Sequence, residues 1–166
     1  MAAGKKLDSY YSWGIAIDAL TKERDEIIIQ TPVYIPFLKV IEKNKRKIAR
    51  NPLVLKNNKF TISFQELGKF MEATKILLLC NPHNPTERVF TKTELEEIAS
   101  LAEKHKVIII SDEIHSDIIY EGHRHIPIAT ISSYTRENTI TMIAPSETFI
   151  SPGLSTSVCH YRKYGA

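Results

Sequence analysis

A run of four β-branched residues, 107–110, constrains the fold of this chain more than any other feature. The run has no apolar–polar alternation, which is typical of a strand that is buried on both faces. Such strands belong to sheets that carry helices on each side. Ser111, Asp112, Glu113 and His115 follow the run directly. Because ligands of open α/β sheets bind beyond the carboxyl ends of the strands, these polar residues are the first candidates for a site.

The polar residues at the end of this run have a second interpretation. Ser111 and Asp112 have short side chains that hydrogen-bond to nearby backbone groups, so they can simply cap the next segment. Position and composition alone leave both interpretations open.

The rest of the chain alternates buried runs with amphipathic segments. Further strands are predicted at residues 26–30, 47–50, 53–55, 76–80, 139–143 and 154–161. Helices are predicted at residues 10–20, 36–43, 63–71 and 91–105, and residues 1–8 are expected to be frayed. Ser63 with Glu66, and Thr91 with Glu94, have the spacing of a capping box. Strands that alternate with helices form βαβ units, so the sequence predicts an α/β fold, a three-layer, mostly parallel sheet with helices on both faces.

The composition is that of an ordinary globular protein. The 166 residues allow one substantial core, and the net charge of +3 is spread along the chain. The basic cluster at 43–50 lacks the interleaved aromatic residues of a nucleic-acid groove and is predicted to be a solvated connection. No apolar run approaches the ~20 residues that span a bilayer, and no apolar signal segment follows the first residues. Cys80 and Cys159 are expected to be buried free thiols, so the prediction is a cytoplasmic protein with no nucleic-acid or membrane partner.

Four polar loops follow four of the predicted strands, at residues 31–34, 81–86, 111–115 and 145–148. Where the strands are parallel, these loops open at the same edge of the sheet and can converge on one pocket. No GxGxxG motif, P-loop or nucleophile elbow is present, which argues against a dinucleotide or nucleotide site. The acidic and histidine residues within 112–125 match no standard zinc spacing, so no metal site is predicted.

Two linked motifs lie in these loops: Asn81-Pro-His-Asn-Pro-Thr86 and, about 25 residues later, Ser111-Asp-Glu-Ile-His115. The pair resembles the hallmark of fold-type I enzymes that use pyridoxal 5′-phosphate. The stretches at 31–37, 125–127 and 144–149 are similar to the MalY/PatB subgroup. Members of this subgroup are cystathionine β-lyase-like C–S lyases related to class I/II aminotransferases. The resemblance extends over nearly the whole chain from about residue 14.

The resemblance implies an enzyme that uses pyridoxal 5′-phosphate to act on a small amino acid, as a C–S lyase or an aminotransferase. Asp112 matches the aspartate that pairs with the protonated ring nitrogen of the cofactor. Asn84 matches the residue that hydrogen-bonds the phenolic oxygen of the ring, and His115 is expected near the same oxygen. Tyr34 falls near the aromatic residue that stacks on the ring.

The chain departs from the family pattern in two motifs. The family has Ser-Lys-Thr-Phe-Asn where this chain has Ser146-Glu-Thr-Phe-Ile150, so Glu147 occupies the position of the lysine that forms the Schiff base. A carboxylate cannot form an imine, and it repels an anionic cofactor. Glu87 replaces a glycine, at a backbone position suited to glycine. Impaired catalysis is therefore expected, and the alternative is a non-catalytic remnant that acts as a structural or interaction domain.

The family subunit is more than twice as long as this chain. Residues 1–166 are therefore expected to form part of the large, cofactor-binding domain, without the amino-terminal arm and the small carboxyl-terminal domain. The helix start at residues 8–10, where the resemblance places the cofactor phosphate, contains no glycine. Uncovered sheet edges favour association, so a homo-oligomer is expected.

Overall fold

The computed structural model describes residues 9–144 and 158–161, which form a layered α/β structure. The helices are α1 (Ser9–Leu20), α2 (Ile35–Lys43), α3 (Phe64–Ala73), α4 (Lys92–His105) and α5 (Ser133–Glu137), with a 3₁₀ turn at Ile128–Thr130. The strands are β1 (Glu26–Thr31), β2 (Lys47–Pro52), β3 (Val54–Lys56), β4 (Lys59–Thr61), β5 (Ile76–Cys80), β6 (Ile108–Asp112), β7 (Thr139–Ile143) and β8 (Val158–Tyr161).

The central sheet has six strands in the order β2-β1-β5-β6-β7-β8. The first five strands run parallel to one another, and β8 pairs antiparallel with β7. Strands β3 and β4 form a separate antiparallel hairpin. The predicted α/β fold with a mostly parallel sheet is confirmed.

Alternate residues of the central strands face two different helical layers. Ile27 and Ile29 pack in a buried cluster with Trp13 and Phe37 of α1 and α2. Ile28, between them, packs in a second cluster with residues of α3 and α4. Since side chains alternate along a strand, the same rule fixes which layer each residue at a strand end faces. The sheet therefore has one α1–α2 face and one α3–α4 face.

One of the two predicted capping boxes is confirmed. Thr91 accepts a hydrogen bond from the Glu94 N–H at 3.3 Å, and the Glu94 carboxylate accepts from the Thr91 N–H at 2.8 Å. The predicted box at Ser63 is wrong, because its side chain makes no capping hydrogen bond. The backbone of Ser63 has ψ of 92°, against 161° for Thr91. The start of α3 is instead held by burial of Ile62 and Leu67 in the α3–α4 cluster.

Some boundaries and short elements differ from the sequence-based prediction. Strand β2 continues through Asn51 and Pro52, and the β3–β4 hairpin turns at Asn57 and Asn58, which both have positive φ. The fourth strand, the 3₁₀ turn and the short helix α5 were not predicted, because each is too short to show an apolar period. Residues 1–8 and 154–157 lie outside the described residues.

The basic segment at 43–50 is less solvated than its composition predicts. Arg46 is only 8% exposed. Its guanidinium donates hydrogen bonds to the carbonyl oxygens of Thr21 and Asn44 and lies 3.1 Å from Asp18. Arg46 therefore ties the end of α1 to the connection between α2 and β2. The predicted solvated connection is confirmed for the exposed Lys43, Lys45, Lys47 and Arg50 and is wrong for Arg46.

The prediction of a buried free thiol is confirmed for Cys80. The side chain of Cys159, in β8, lies outside the described part of the chain. In the part that is described, none of the helices combines the length and the apolar character needed to cross a membrane.

The difference between the hydrogen-bonded cap of α4 at Thr91 and the absent side-chain cap of α3 at Ser63 can be tested by mutation. We expect Thr91→Ala to lower the free energy of unfolding by about 1 kcal/mol, because it removes the hydrogen-bonded cap of α4. Ser63→Ala is the matched control and should change it by less than ~0.5 kcal/mol. Urea denaturation at pH 7 measures both values, and equal losses would contradict the assignment.

Candidate active site

The loops after β5 and β6 are joined at the carboxyl edge of the sheet. Cys80 and Asp112 are register partners at the ends of these two strands. The Asn81 N–H donates to the Asp112 carbonyl at 3.0 Å, and the Glu113 N–H donates to the Met142 carbonyl at 2.8 Å. The backbone ladder thus continues beyond the strands and fixes where each loop begins.

Asp112 is the last residue of β6 and is 5% exposed. It follows Ile110 on the α1–α2 face, and its Oδ1 accepts a hydrogen bond from the Ile114 N–H at 3.2 Å. Among the described residues, no lysine, arginine or histidine forms an ion pair with it. The pKa of Asp112 is raised from 3.8 to about 7, chiefly by burial. The hydrogen bond from the Ile114 N–H lowers this pKa, and the nearby Glu113 carboxylate contributes to raising it. A cation bound at this carboxylate would relieve its desolvation.

Of the two sequence-based interpretations of Asp112, the capping one is confirmed and the site one stays a prediction. Its Oδ1 caps the following turn, as the simpler interpretation predicted. The carboxylate nonetheless remains buried at the sheet edge without a cation in the described part of the chain. Capping one N–H does not compensate a buried charge, so the cap alone does not account for an aspartate at this position.

Cys80 connects Asp112 to the loop that carries Asn84. The Cys80 thiol donates to the Pro82 carbonyl at 3.3 Å and also contacts the backbone N–H of Asn84, a half-buried residue. Burial and the Asp112 carboxylate raise the pKa of this thiol far above its ordinary value. Cys80 is therefore a neutral packing group beside the carboxylate and not a nucleophile.

His83 holds the same loop from the α3–α4 face. Its ring is 2% exposed, with Nδ1 2.9 Å from the Thr86 hydroxyl and Nε2 3.4 Å from the Gln30 carbonyl. Burial lowers the pKa of His83 to about 4, so the ring is neutral at pH 7. Glu87 follows with φ of 54°, the left-handed conformation expected of the glycine it replaces.

The other two predicted residues also lie at this edge. His115 is half-buried in the turn after β6, and its carbonyl accepts from the Ile118 N–H at 3.0 Å. Tyr34 lies between β1 and α2, is 44% exposed, and packs edge-to-face against Trp13 and Phe37 with ring centroids 6.3 and 6.4 Å apart. The edge thus offers one buried carboxylate and three more accessible polar or aromatic groups.

No hydrogen bond joins the side chains of Asp112, Asn84, His115 and Tyr34 within the described ranges. Glu147, the fifth residue of the prediction, lies outside the described residues, as does the rest of the loop at 145–148. Sequence reasoning missed the roles of His83 and of Glu113, which bonds His125 on the opposite face of β6. The sequence position of Glu113, directly after Asp112, could have indicated its location. Neighbouring residues of a strand face opposite sides of the sheet.

The sequence matches the aminotransferase class I and II family over residues 10–159. The chain belongs to this family. Cystathionine β-lyase PatB from Bacillus subtilis (strain 168) is 39% identical over 145 residues, which cover 86% of this chain and 38% of that protein. Protein MalY from Escherichia coli (strain K12) is 38% identical over 135 residues, which cover 78% of this chain and 33% of that protein.

A solved structure agrees with the class I and II assignment. Cystalysin from Treponema denticola, in a crystal structure that contains pyridoxal 5′-phosphate, superposes with a TM-score of 0.88 at 39% identity. The match covers 90% of this chain and 39% of cystalysin. The resemblance to the MalY/PatB subgroup is confirmed, and the chain spans less than half the length of these relatives.

The raised pKa of Asp112 predicts a pH-dependent stability. The folded chain binds the Asp112 proton more tightly than the unfolded chain, so the contribution of Asp112 to stability should fall as pH rises from about 4 to 7 and then level off. The lowered pKa of His83 acts in the opposite direction, so the comparison of variant with wild type isolates Asp112. Asp112→Asn keeps the acceptor for the Ile114 N–H but removes the charge. At pH 8 the variant should be more stable than the wild type by up to about 4 kcal/mol, with the difference vanishing near pH 4.

Urea denaturation across this pH range measures the effect. Asp117→Asn, which changes an exposed aspartate of the same loop, is the control and should parallel the wild type. Parallel curves for Asp112→Asn and wild type would contradict the burial argument.

Proposed function

We propose that this chain forms the cofactor-binding part of a pyridoxal 5′-phosphate enzyme that acts on an amino acid, as a C–S lyase or an aminotransferase. The names of the relatives support this choice: PatB is a cystathionine β-lyase, and the family is that of class I and II aminotransferases. The observation that carries the proposal is the buried Asp112 carboxylate without a cationic partner among the described residues.

The chemistry of the cofactor fits this carboxylate. Pyridoxal phosphate supplies an electron sink for a carbanion next to the amino group, which requires a protonated ring nitrogen. A pyridinium N–H is the kind of cation that an uncompensated, buried aspartate favours. Asp112 would hold the proton at that nitrogen, and its 5% exposure keeps water from competing for it.

The remaining predicted residues would orient the ring. Asn84 has an amide that can donate to a phenolic oxygen. His115, on the adjoining loop, offers an imidazole for the same oxygen. Tyr34 presents an aromatic ring that Trp13 and Phe37 hold from the side, which suits stacking on a flat heterocycle. Cys80 stays protonated beneath Asp112 and adds no second negative charge.

We propose further that catalysis is impaired, because Glu147 stands where the family has its lysine. A carboxylate supplies neither an amine for the cofactor nor the base that the lysine provides. This substitution favours a second candidate function, a non-catalytic domain that keeps the fold for a structural or interaction role. The two candidates differ in whether restoring an amine at residue 147 restores cofactor chemistry.

Glu147→Lys tests the proposal directly. Wild-type chain mixed with pyridoxal phosphate should show no visible absorbance from a covalent adduct. Glu147→Lys should form an adduct that borohydride reduces, because it restores an amine at the position of the family's lysine. Mass spectrometry of the digested protein should place the adduct on residue 147, and Glu147→Gln, which removes the charge without adding an amine, should form none.

Asp112→Asn in the Glu147→Lys background tests how much the buried Asp112 carboxylate contributes to cofactor binding. Loss of the carboxylate should weaken cofactor binding by about tenfold or more, since a charge-assisted hydrogen bond is lost. Asp117→Asn in the same background should bind like its parent. A reducible adduct on a different lysine, or unchanged affinity in Asp112→Asn, would overturn the proposed site. Thiol release from cystathionine then separates lyase activity from transamination.

We also propose that the protein is a cytoplasmic homo-oligomer. The free Cys80 thiol fits a reducing compartment. Ile15 on α1 and Ile35 on α2 are 57% and 62% exposed, and large exposed apolar groups favour self-association. Light scattering should give a mass above that of one chain, 18.9 kDa, whereas a clean monomer would contradict the oligomer.

A further inference from the structure

A buried ionisable pair lies on the α3–α4 face of β6, directly behind the proposed cofactor site. His125 Nε2 is 2.8 Å from Glu113 Oε2, and their side chains are 8% and 3% exposed. The Ser111 hydroxyl donates to Glu113 Oε1 at 2.9 Å, and the Ile128 N–H donates to the same oxygen at 3.4 Å. Glu113 thus accepts from three donors, one of them an imidazole from a distant part of the loop.

These bonds close the loop at residues 114–127. Glu113 stands at its start and His125 near its end, twelve residues apart. Most residues from 117 to 124 are exposed, and the apolar anchors lie near the two ends of the loop, where Ile114 packs against the α1–α2 cluster and Ile126 against the α3–α4 cluster. A loop with so few apolar contacts depends on its remaining polar contacts for a fixed path. Since Glu113 forms no other ion pair in the described part of the chain, His125 is its one ionisable partner there.

The pair is also coupled to the site by geometry. Glu113 follows Asp112 directly, so the same backbone carries one carboxylate toward the α3–α4 face and the other toward the α1–α2 face. The loop that the pair closes carries His115 and the Ile114 N–H, which donates to Asp112. Anchoring Glu113 therefore fixes the backbone from which three groups of the site project.

We propose that the Glu113–His125 pair is a positioning clasp, which holds the 114–127 loop closed so that His115 and Asp112 keep their relative placement. The proposal deepens the proposed function and rests on it only for the identity of the cofactor. The clasp acts through the backbone of the loop, and neither of its residues contacts the cofactor.

Hydrogen exchange of the full chain without cofactor tests the clasp. The Ser116, Ile118 and His123 amides bond within the loop and report its order. His125→Leu should speed their exchange by about tenfold or more while leaving β5 amides unchanged, because a bond to a buried carboxylate is lost. His125→Gln supplies an N–H at the position of Nε2 and should restore slow exchange. His123→Leu, a change at an exposed histidine two residues away, is the control and should exchange like the wild type.

A second measurement separates positioning from general stability. The ¹³C resonance of the Asp112 carboxyl should move in His125→Leu, return in His125→Gln and stay in place in His123→Leu. The clasp would be overturned if His125→Leu sped exchange throughout the chain or left the exchange of the loop amides slow. It would also be overturned if His125→Gln did not restore slow exchange in the loop. If Glu147→Lys binds no pyridoxal phosphate while these results hold, the proposed function fails and the clasp stands.

Discussion

Burial of the central strands on both faces is the constraint on which the rest of this structure depends. Strands β5 and β6 leave almost no room for polar groups until their carboxyl ends, where Cys80 pairs with Asp112. Polar chemistry is therefore confined to one edge of the sheet. At that edge, removing the Asp112 carboxylate from water is unfavourable for its charged form and raises its pKa. Such a cost is understandable where a cation is to be bound.

Because side chains alternate along β6, the adjacent carboxylates of Asp112 and Glu113 face opposite sides of the sheet. Asp112 faces the α1–α2 layer and has no cationic partner among the residues that the structure describes, whereas Glu113 faces the α3–α4 layer and accepts hydrogen bonds from three donors. Two adjacent carboxylates would otherwise repel each other strongly. Facing them to opposite sides of the sheet separates the two groups, although Glu113 still contributes to the raised pKa of Asp112.

The sequence predicted the long elements because their apolar residues recur with a clear period, as in α2, where Phe37, Val40 and Ile41 are the buried residues. Polar residues after unbroken apolar strands predicted where a site could lie, whereas the roles of Asp112, Asn84 and His115 were implied by the family resemblance. It could not predict the missing cap at Ser63, since a hydroxyl caps only when its backbone torsion permits. Nor could it pair Glu113 with His125, because no local period links residues twelve positions apart.

The two departures from the family pattern have different physical consequences. Glu87 adopts the left-handed backbone of the glycine it replaces, at a cost of about 1–2 kcal/mol. That conformation is imposed by its surroundings: the His83 N–H donates to the Arg88 carbonyl, and Arg88 forms a bidentate pair with Glu94 at the start of α4. The loop therefore keeps its path when its preferred residue is lost. In the proposed assignment Glu147 exchanges an amine for a carboxylate, and the loss of nucleophilicity is intrinsic to the side chain.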